Sequence, residues 1–135
     1  MPLPTLVPGL RHTAHVLADA HNTAAAMGSG TLPVFATPAL AALGEAASLQ
    51  AVSPALCDGE TTVGASLTLH HNAPTPPGLT VRCDSELVAV DGRRLTFRLV
   101  FADDRGPVGD GEHIRYIVDA ARFAARAAAK AAPQA

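Results

Sequence analysis

The feature that most constrains the fold is the run from residue 37 to residue 52, which is apolar on nearly every side. Between residues 20 and 57 the chain carries one acid, Glu45, and no charged or titratable base except His21. Thr37 followed by Pro38 predicts a helix start, because the threonine hydroxyl can accept from a free amide and proline fits the first helical position. A helix that is apolar all round is buried, either inside a sheet or at a subunit contact. Burying a carboxylate is costly without partners, so Glu45 needs a reason to be there.

Strand-like segments surround this helix. Alternating or β-branched patterns predict strands at residues 10–17, 61–71, 79–90, 93–102 and 109–118. Proline-rich residues 74–78 predict a rigid turn, Asp91-Gly92 a tight hairpin, and Gly106-Pro107 a further turn. Asp119 is predicted to cap an alanine-rich helix that runs to about residue 132.

The order of these elements predicts the fold class. A strand, a loop, a buried helix, four antiparallel strands and a short C-terminal helix indicate an α+β protein of the hotdog fold, in which an antiparallel sheet wraps around a central helix. We expect one domain over residues 1–135, with residues 20–33 as a mobile loop or lid and residues 119–132 as the last helix. Open sheet edges favour a homodimer, or a tetramer built from two dimers.

Composition excludes several classes of partner. The net charge is −2 and the nine arginines and one lysine are scattered, so no nucleic-acid partner is predicted. The chain shows no leader pattern and no segment of membrane-spanning length, so we expect a cytoplasmic protein with no membrane partner. The excess of alanine, and of arginine over lysine, is typical of a GC-rich bacterial genome.

Three polar side chains are candidates for chemistry. Thr37 lies at the helix N-terminus, where free amides and the dipole favour negative charge. Glu45 follows eight residues later, about 80° around the same helix. His71 ends a strand just before the rigid turn, whereas the neighbouring His70 points to the opposite face. A structural interpretation stands beside each: an N-cap for Thr37, an arginine ion pair for Glu45, and a buried structural histidine for His71.

No metal site is predicted. His12, His15 and His21 are loosely spaced and no cysteine or carboxylate cluster accompanies them, so we interpret them as surface residues.

Several motifs are informative together. They are Val34-Phe35-Ala36-Thr37, Glu45, Val63-Gly64, His71, residues 73–81 and residues 90–95. In this order and spacing they resemble the fluoroacetyl-CoA thioesterase family of hotdog enzymes. The similarity extends over roughly residues 34–126. It implies a dimeric acyl-CoA thioesterase with Thr37, Glu45 and His71 as catalytic residues. It also implies that Gly64 and Phe35 lie beside the substrate, and Arg115 occupies a family-like position with no firm role.

The resemblance implies hydrolysis of a small acyl-CoA to the free acid and coenzyme A. His71 would be the general base, Thr37 the nucleophile or the hydroxyl that orients substrate or water, and Glu45 the orienting carboxylate. Amides at the helix start and at Gly64 would stabilise the oxyanion. No cofactor is expected, since coenzyme A is part of the substrate. Arginines near strand ends are candidates for its phosphates: Arg82, Arg93 and Arg94.

Two other functions fit the same residues. One is a non-catalytic module that binds acyl-CoA or a small carboxylate, and the other is a hotdog dehydratase. The sequence departs from the fluoroacetyl-CoA enzyme in residues 26–33, which carry no aromatic ring to close the acyl pocket. The sequence therefore predicts that the hydrolytic residues are retained while selectivity for the fluoroacetyl group is not.

Overall fold

The computed structural model describes residues 5–133 of the chain. Its elements are β1 (Arg11–Leu17), α1 (Ala24–Met27), α2 (Thr37–Val52), a single 3-10 turn (Ser53–Ala55), β2 (Glu60–His71), β3 (Thr80–Asp91), β4 (Arg94–Asp103), β5 (Gly106–Asp119) and α3 (Ala120–Ala129). This order confirms the predicted succession of a strand, a loop, a long helix, four strands and a C-terminal helix.

The five strands form one antiparallel sheet in the order β1-β3-β4-β5-β2. Helix α2 packs on the concave side, with most of its contacts to β1 and β3. The alternation predicted for β4 is confirmed, because Leu95, Phe97, Leu99 and Phe101 are all fully buried. Gly44 lets the helix approach β4 closely, since a Cβ there would lie 2.8 Å from Leu99 Cδ1. The sheet curled around one helix confirms the predicted hotdog fold.

Helix α2 is not buried on every side within one chain. Its covered face consists of Leu40, Leu43, Gly44, Ala47, Ser48, Ala51 and Val52. The opposite face, which includes Ala42, Glu45 and Gln50, is exposed. The prediction of burial on all sides by the sheet of the same chain is therefore wrong, because the sheet covers one side of the helix and alanine tolerates exposure. Burial of the other side at a subunit contact stays a prediction. The Glu45 side chain is 49% exposed.

Some element boundaries differ from the sequence prediction. Thr37 is the first residue of α2 and does not cap it; the N-cap is Ala36, which makes no side-chain bond. Gly106 and Pro107 lie in the first residues of β5, and the turn falls just before them, where the Arg105 amide donates to Asp103 Oδ1 at 2.8 Å. Proline is tolerated at a strand start because it need not donate to the ladder there.

Two short helices complete the fold, and the second, α3, ends at Ala129, before the predicted end near residue 132. The loop at residues 20–33 contains one short helix, α1, capped by the Thr23 hydroxyl and ended by Gly28 at φ 72°. Asp119 caps α3 as predicted by accepting from the Arg122 amide. No helix within residues 5–133 combines the length and the apolar character needed to cross a membrane.

Candidate active site

Thr37 and His71 meet where α2 begins and β2 ends. Thr37 Oγ1 lies 2.8 Å from His71 Nδ1, within hydrogen-bond distance. The backbone before α2 is tied to the loop after β2, because the Phe35 amide donates to the Thr75 carbonyl at 2.8 Å. Thr75 is itself fixed by a 2.6 Å hydrogen bond from its hydroxyl to buried Asp103. The fold thereby joins two residues 34 positions apart in sequence.

The His71 imidazole is held in its neutral form. Burial lowers the pKa of His71 below its usual value, and the nearby Ala73 backbone only partly opposes this. When Thr37 donates its proton to Nδ1, the ring hydrogen is on Nε2. That Nε2 is buried and has no hydrogen-bond partner among residues 5–133. A buried ring N–H in this position requires an acceptor.

A cavity of about 260 Å³ adjoins the pair. Besides Thr37 and His71, its walls are formed by Ala24, Ser29, Val34, Phe35, Asn72, Ala73 and Pro74. Most of these side chains are small, and Phe35, which is almost fully buried, forms the aromatic wall. The space suits a small organic group next to the threonine hydroxyl.

Glu45 does not join this pair within one chain. Its Oε2 lies 3.6 Å from Arg115 Nη1, and no hydrogen bond links it to Thr37 or His71 in the described part of the chain. Eight residues of helix correspond to a rise of about 12 Å, so a shared side of α2 does not bring the two side chains together. The angle around the helix puts Thr37 and Glu45 on one side of α2, but the rise along its axis separates them.

Arg115 is the partner of Glu45 and belongs to a buried polar cluster. Its Nε donates to Thr62 Oγ1 and its Nη2 to the Thr62 carbonyl, both at 2.8 Å. Its Nη1 lies 3.1 Å from His113 Nε2. Burial lowers the pKa of Arg115 and the nearby Glu45 carboxylate opposes this, so the guanidinium stays charged.

His113 is the functional candidate that the sequence analysis missed. It is 1% exposed, and its Nδ1 lies 2.8 Å from the Ser66 carbonyl. The available signal was the alternation of β5, which places His113 and Arg115 on the same inward face as Ile117. Two polar residues on a core-facing side of a strand indicate a buried polar network.

The other predicted substrate-binding residues are dispersed. Gly64 lies on edge strand β2 at a β-bulge, beside Glu45. Arg93 is near Glu60 and borders a groove of about 390 Å³ together with Arg122, Phe123 and Arg126 of α3. Arg82 and Arg94 are exposed, and neither lines the cavity beside Thr37.

Two sequence interpretations concern the remaining histidines. His70 points away from His71, as predicted, and its Nδ1 lies 3.0 Å from exposed Asp110. Within residues 5–133 no three histidine, cysteine or acidic side chains lie together in a metal-binding arrangement.

The fold and this threonine–histidine pair define a hotdog protein with a site suited to acyl-group hydrolysis. The family model described as FlK, fluoroacetyl-CoA-specific thioesterase, matches residues 18–121. A fluoroacetyl-CoA thioesterase from Streptantibioticus cattleyicolor is 40% identical over 93 residues, which span 69% of this chain and 67% of that protein. The chain belongs to the fluoroacetyl-CoA-specific thioesterase family, and it is a thioester hydrolase.

Solved structures agree with this assignment. The chain superposes on a structure of the fluoroacetyl-CoA thioesterase FlK with a TM-score of 0.88 and 33% identity, over 96% of this chain and 100% of that one. A hot-dog-like protein from Thermanaerovibrio acidaminovorans superposes with a TM-score of 0.84 at 19% identity, over 94% of each chain. The second similarity supports the fold alone.

Proposed function

We propose that this protein hydrolyses a small acyl-CoA thioester to the free acid and coenzyme A. The observation that carries the proposal is the 2.8 Å contact between Thr37 Oγ1 and His71 Nδ1 beside a small cavity. A hydroxyl is a weak nucleophile at its free pKa and becomes effective next to a general base. Membership in a thioesterase family favours hydrolysis over the non-catalytic binding module and over the dehydratase.

The neutral imidazole of His71 is suited to the role of base. Its lowered pKa keeps it unprotonated at neutral pH, so it can accept a proton as the carbonyl carbon is attacked. Thr37 then either attacks the thioester itself or orients the attacking water. The first turn of α2 has amides without intrahelical acceptors, and these stabilise the negative charge that develops on the carbonyl oxygen.

We propose that Glu45 completes the site from a second copy of the chain. Among residues 5–133, the buried His71 Nε2 has no partner. Glu45 of the same chain lies about 12 Å along α2 from Thr37 and pairs with Arg115. Across a two-fold interface, the Glu45 carboxylate of one copy would accept a hydrogen bond from His71 Nε2 of the other copy. The three residues would then form a hydroxyl–imidazole–carboxylate relay, as in other hydrolases.

Strand β2 is the edge through which this pairing would occur. In the part of the chain that the structure describes, β2 pairs with β5 on one side and with no strand on the other, and its residues 64–66 are exposed. If two copies of β2 pair antiparallel about the middle of the strand, at residues 67–68, position 64 of one lies opposite position 71 of the other. Glu45, which lies beside Gly64, would thereby reach His71 of the second copy. A C2 arrangement gives two such sites in each dimer.

The groove lined by Arg93, Arg122 and Arg126 is our candidate for the phosphates of coenzyme A. It lies at the Glu60 end of β2, so the same pairing brings it toward the His71 end of the second copy. Guanidinium groups bind phosphate through paired, charge-assisted hydrogen bonds, and Phe123 offers an aromatic face to the adenine ring. Of the arginines that the sequence analysis named for the phosphates, this groove keeps Arg93 and omits Arg82 and Arg94.

The acyl group is proposed to be small. The cavity beside Thr37 is about 260 Å³ in volume and is bordered by Ala24 and Ser29 from the loop at residues 20–33, which we propose as its cover. This loop carries no aromatic side chain. The enzyme is therefore expected to accept acetyl-CoA and similar short esters. It is not expected to prefer fluoroacetyl-CoA strongly, the ester after which its relatives are named.

Thiol release from a panel of acyl-CoAs tests the proposal. Exposed Cys57 would react with the thiol reagent, so the assay uses a Cys57→Ser background; Cys83 is buried and burial raises its pKa to about 12. We expect release from short esters, and a loss of at least about a hundredfold in kcat for Thr37→Ala. Binding of the esters by calorimetry without thiol release would instead support the binding module.

A further inference from the structure

We propose that His113 is a positioning residue that fixes the Arg115 guanidinium, which in turn holds the Glu45 carboxylate over Gly64. The inference rests on the proposed function, in which Glu45 completes the catalytic trio. His113 itself touches neither Thr37 nor His71 and would act only through Arg115.

Both ring nitrogens of His113 are used in directed contacts. Nδ1 is 2.8 Å from the Ser66 carbonyl, which can only accept, so Nδ1 carries the hydrogen. Nε2 is 3.1 Å from Arg115 Nη1, which can only donate, so Nε2 is an acceptor. The two contacts together allow one tautomer, neutral and protonated at Nδ1.

The contact with Ser66 is made at an irregular point of the sheet. The β2–β5 register shifts between Gly64 and Ser66, so that one extra residue of β2 is accommodated there. A bulge disrupts the local ladder and re-aims nearby side chains. The imidazole on β5 ties the Ser66 carbonyl of β2 to the neighbouring strand at the place where β2 passes Glu45.

Arg115 transmits this arrangement to the carboxylate. Thr62 accepts from its Nε and Nη2, and both contacts are 2.8 Å, so the plane of the guanidinium is fixed. Nη1 is left to contact His113 at 3.1 Å and Glu45 at 3.6 Å. Because the Glu45 side chain is 49% exposed, packing does not fix its direction, and the contact with Arg115 does.

The three groups converge above one glycine. A Cβ at position 64 would lie 2.8 Å from Glu45 Oε2, 3.3 Å from His113 Cε1 and 3.5 Å from Arg115 Nη1. The absence of a side chain at Gly64 leaves the carboxylate room beside the β2 backbone. This is the point of β2 that the proposed dimer brings to His71 of the second copy.

The surroundings of His113 favour its neutral form. Burial is the main cause that lowers the pKa of His113, and the charge of Arg115 adds to it, while the Ser66 hydrogen bond and the Glu45 charge oppose it. The charged groups facing the ring are Arg115 from β5 and Glu45 from α2. Its cross-strand neighbours on β4 and β2 are apolar, Phe97 and Leu67. Protonation at Nε2 would replace the acceptor for Arg115 by a second positive donor.

Two conservative variants separate the two contacts of His113. Asparagine places an amide near the Nδ1 position and keeps the donor to Ser66, whereas glutamine places a carbonyl oxygen near Nε2 and keeps the acceptor for Arg115. We expect His113→Asn to lower kcat about tenfold with KM within about twofold, and His113→Gln to stay within about threefold of the parent in kcat. Equal losses of kcat in both variants, or none in His113→Asn, would overturn the proposal.

A second substitution tests whether the effect passes through the carboxylate. In a Glu45→Gln background, His113→Asn should change kcat by less than about twofold, because the group that it positions is already neutral. A full additional tenfold loss would assign His113 a purely structural role. Failure of the proposed function would be seen in a different variant. In that case Thr37→Ala would release thiol as fast as the parent enzyme.

A measurement on the unaltered protein keeps the test independent of variant folding. Nitrogen-15 NMR of the histidine side chains should show one imidazole, assigned to His113, that is protonated at Nδ1 and not at Nε2 at neutral pH. Finding the Nε2–H tautomer or an imidazolium at this residue would contradict the proposed contact with Arg115.

Discussion

Two places along strand β2, its C-terminal end and a point near its middle, have different polar groups beside them. At its C-terminal end, His71 contacts Thr37, but its buried Nε2 has no partner among the described residues. Near the middle of the strand, beside Gly64, Glu45 has a charge partner in Arg115 and, among the described residues, no hydrogen bond to Thr37 or His71. In our proposal, the first place supplies the nucleophile and the base, and the second supplies the carboxylate. The difference supports the proposal that one chain carries two complementary parts of a hydrolytic site.

The largest effect is expected at the His71 end. His71→Ala should reduce kcat at least about a hundredfold, because it removes the proposed general base. His70→Ala is the matched control, since His70 is the adjacent residue, faces the other way and contacts Asp110. Steady-state thiol release measures both. Equal rates for the two variants would remove His71 from the mechanism.

Mixing two inactive variants tests whether the halves come from different chains. Thr37→Ala and Glu45→Gln homodimers should each have low activity, the latter reduced at least about tenfold. After subunit exchange, about half the dimers are mixed, and each mixed dimer has one intact site, so about a quarter of parental activity should return. No recovery in a mixture shown by mass spectrometry to contain mixed dimers would place the trio within one chain.

A smaller effect is expected at the basic groove. Arg122→Ala should raise KM for acyl-CoA about threefold to tenfold with little change in kcat, because a lost phosphate contact weakens ground and transition states alike. Arg98→Ala is the control, since Arg98 is exposed and pairs with Glu86 away from this groove. A KM unchanged in Arg122→Ala would refute the assignment of the groove.

The smallest effect is the response to acid. Folding lowers the pKa of both His71 and His113, so the unfolded chain binds more protons than the folded one as the pH falls below about 6.5. Stability should be constant above that pH and should fall below it. Thermal unfolding between pH 5 and pH 8 measures the slope, and His113→Gln should reduce it. A slope of the opposite sign would contradict the lowered pKa values.

The fold was largely predictable because its signals are local and strong. The alternation of Leu95, Phe97, Leu99 and Phe101 is a two-residue period that only a half-buried strand explains, and all four are fully buried. Asp119 was identified as a cap because the hydrogen bond it makes spans three residues. The sequence misplaces the turn before Gly106, because the Asp103 side chain closes it at residues 104–105, two residues before the glycine–proline pair.

The candidate site was predictable only in part. The pairing of Thr37 with His71 depends on the contact between Phe35 and Thr75, which joins loops far apart in sequence. Glu45 was chosen for its isolation in an apolar run, but its direct partner in one chain is Arg115, which the helix pattern does not reveal. His113 gave a weak signal, an imidazole on the inward face of β5, whose meaning depends on the bulge in a neighbouring strand.

The unpaired edge of β2 has a consequence for how the enzyme behaves on dilution. If each working centre draws residues from two chains across this edge, a separated chain is inert. At protein concentrations well below the dissociation constant of the pair, the rate would rise with the square of the enzyme concentration. The concentration of the protein in the cell would then determine the activity per molecule as well as the total activity.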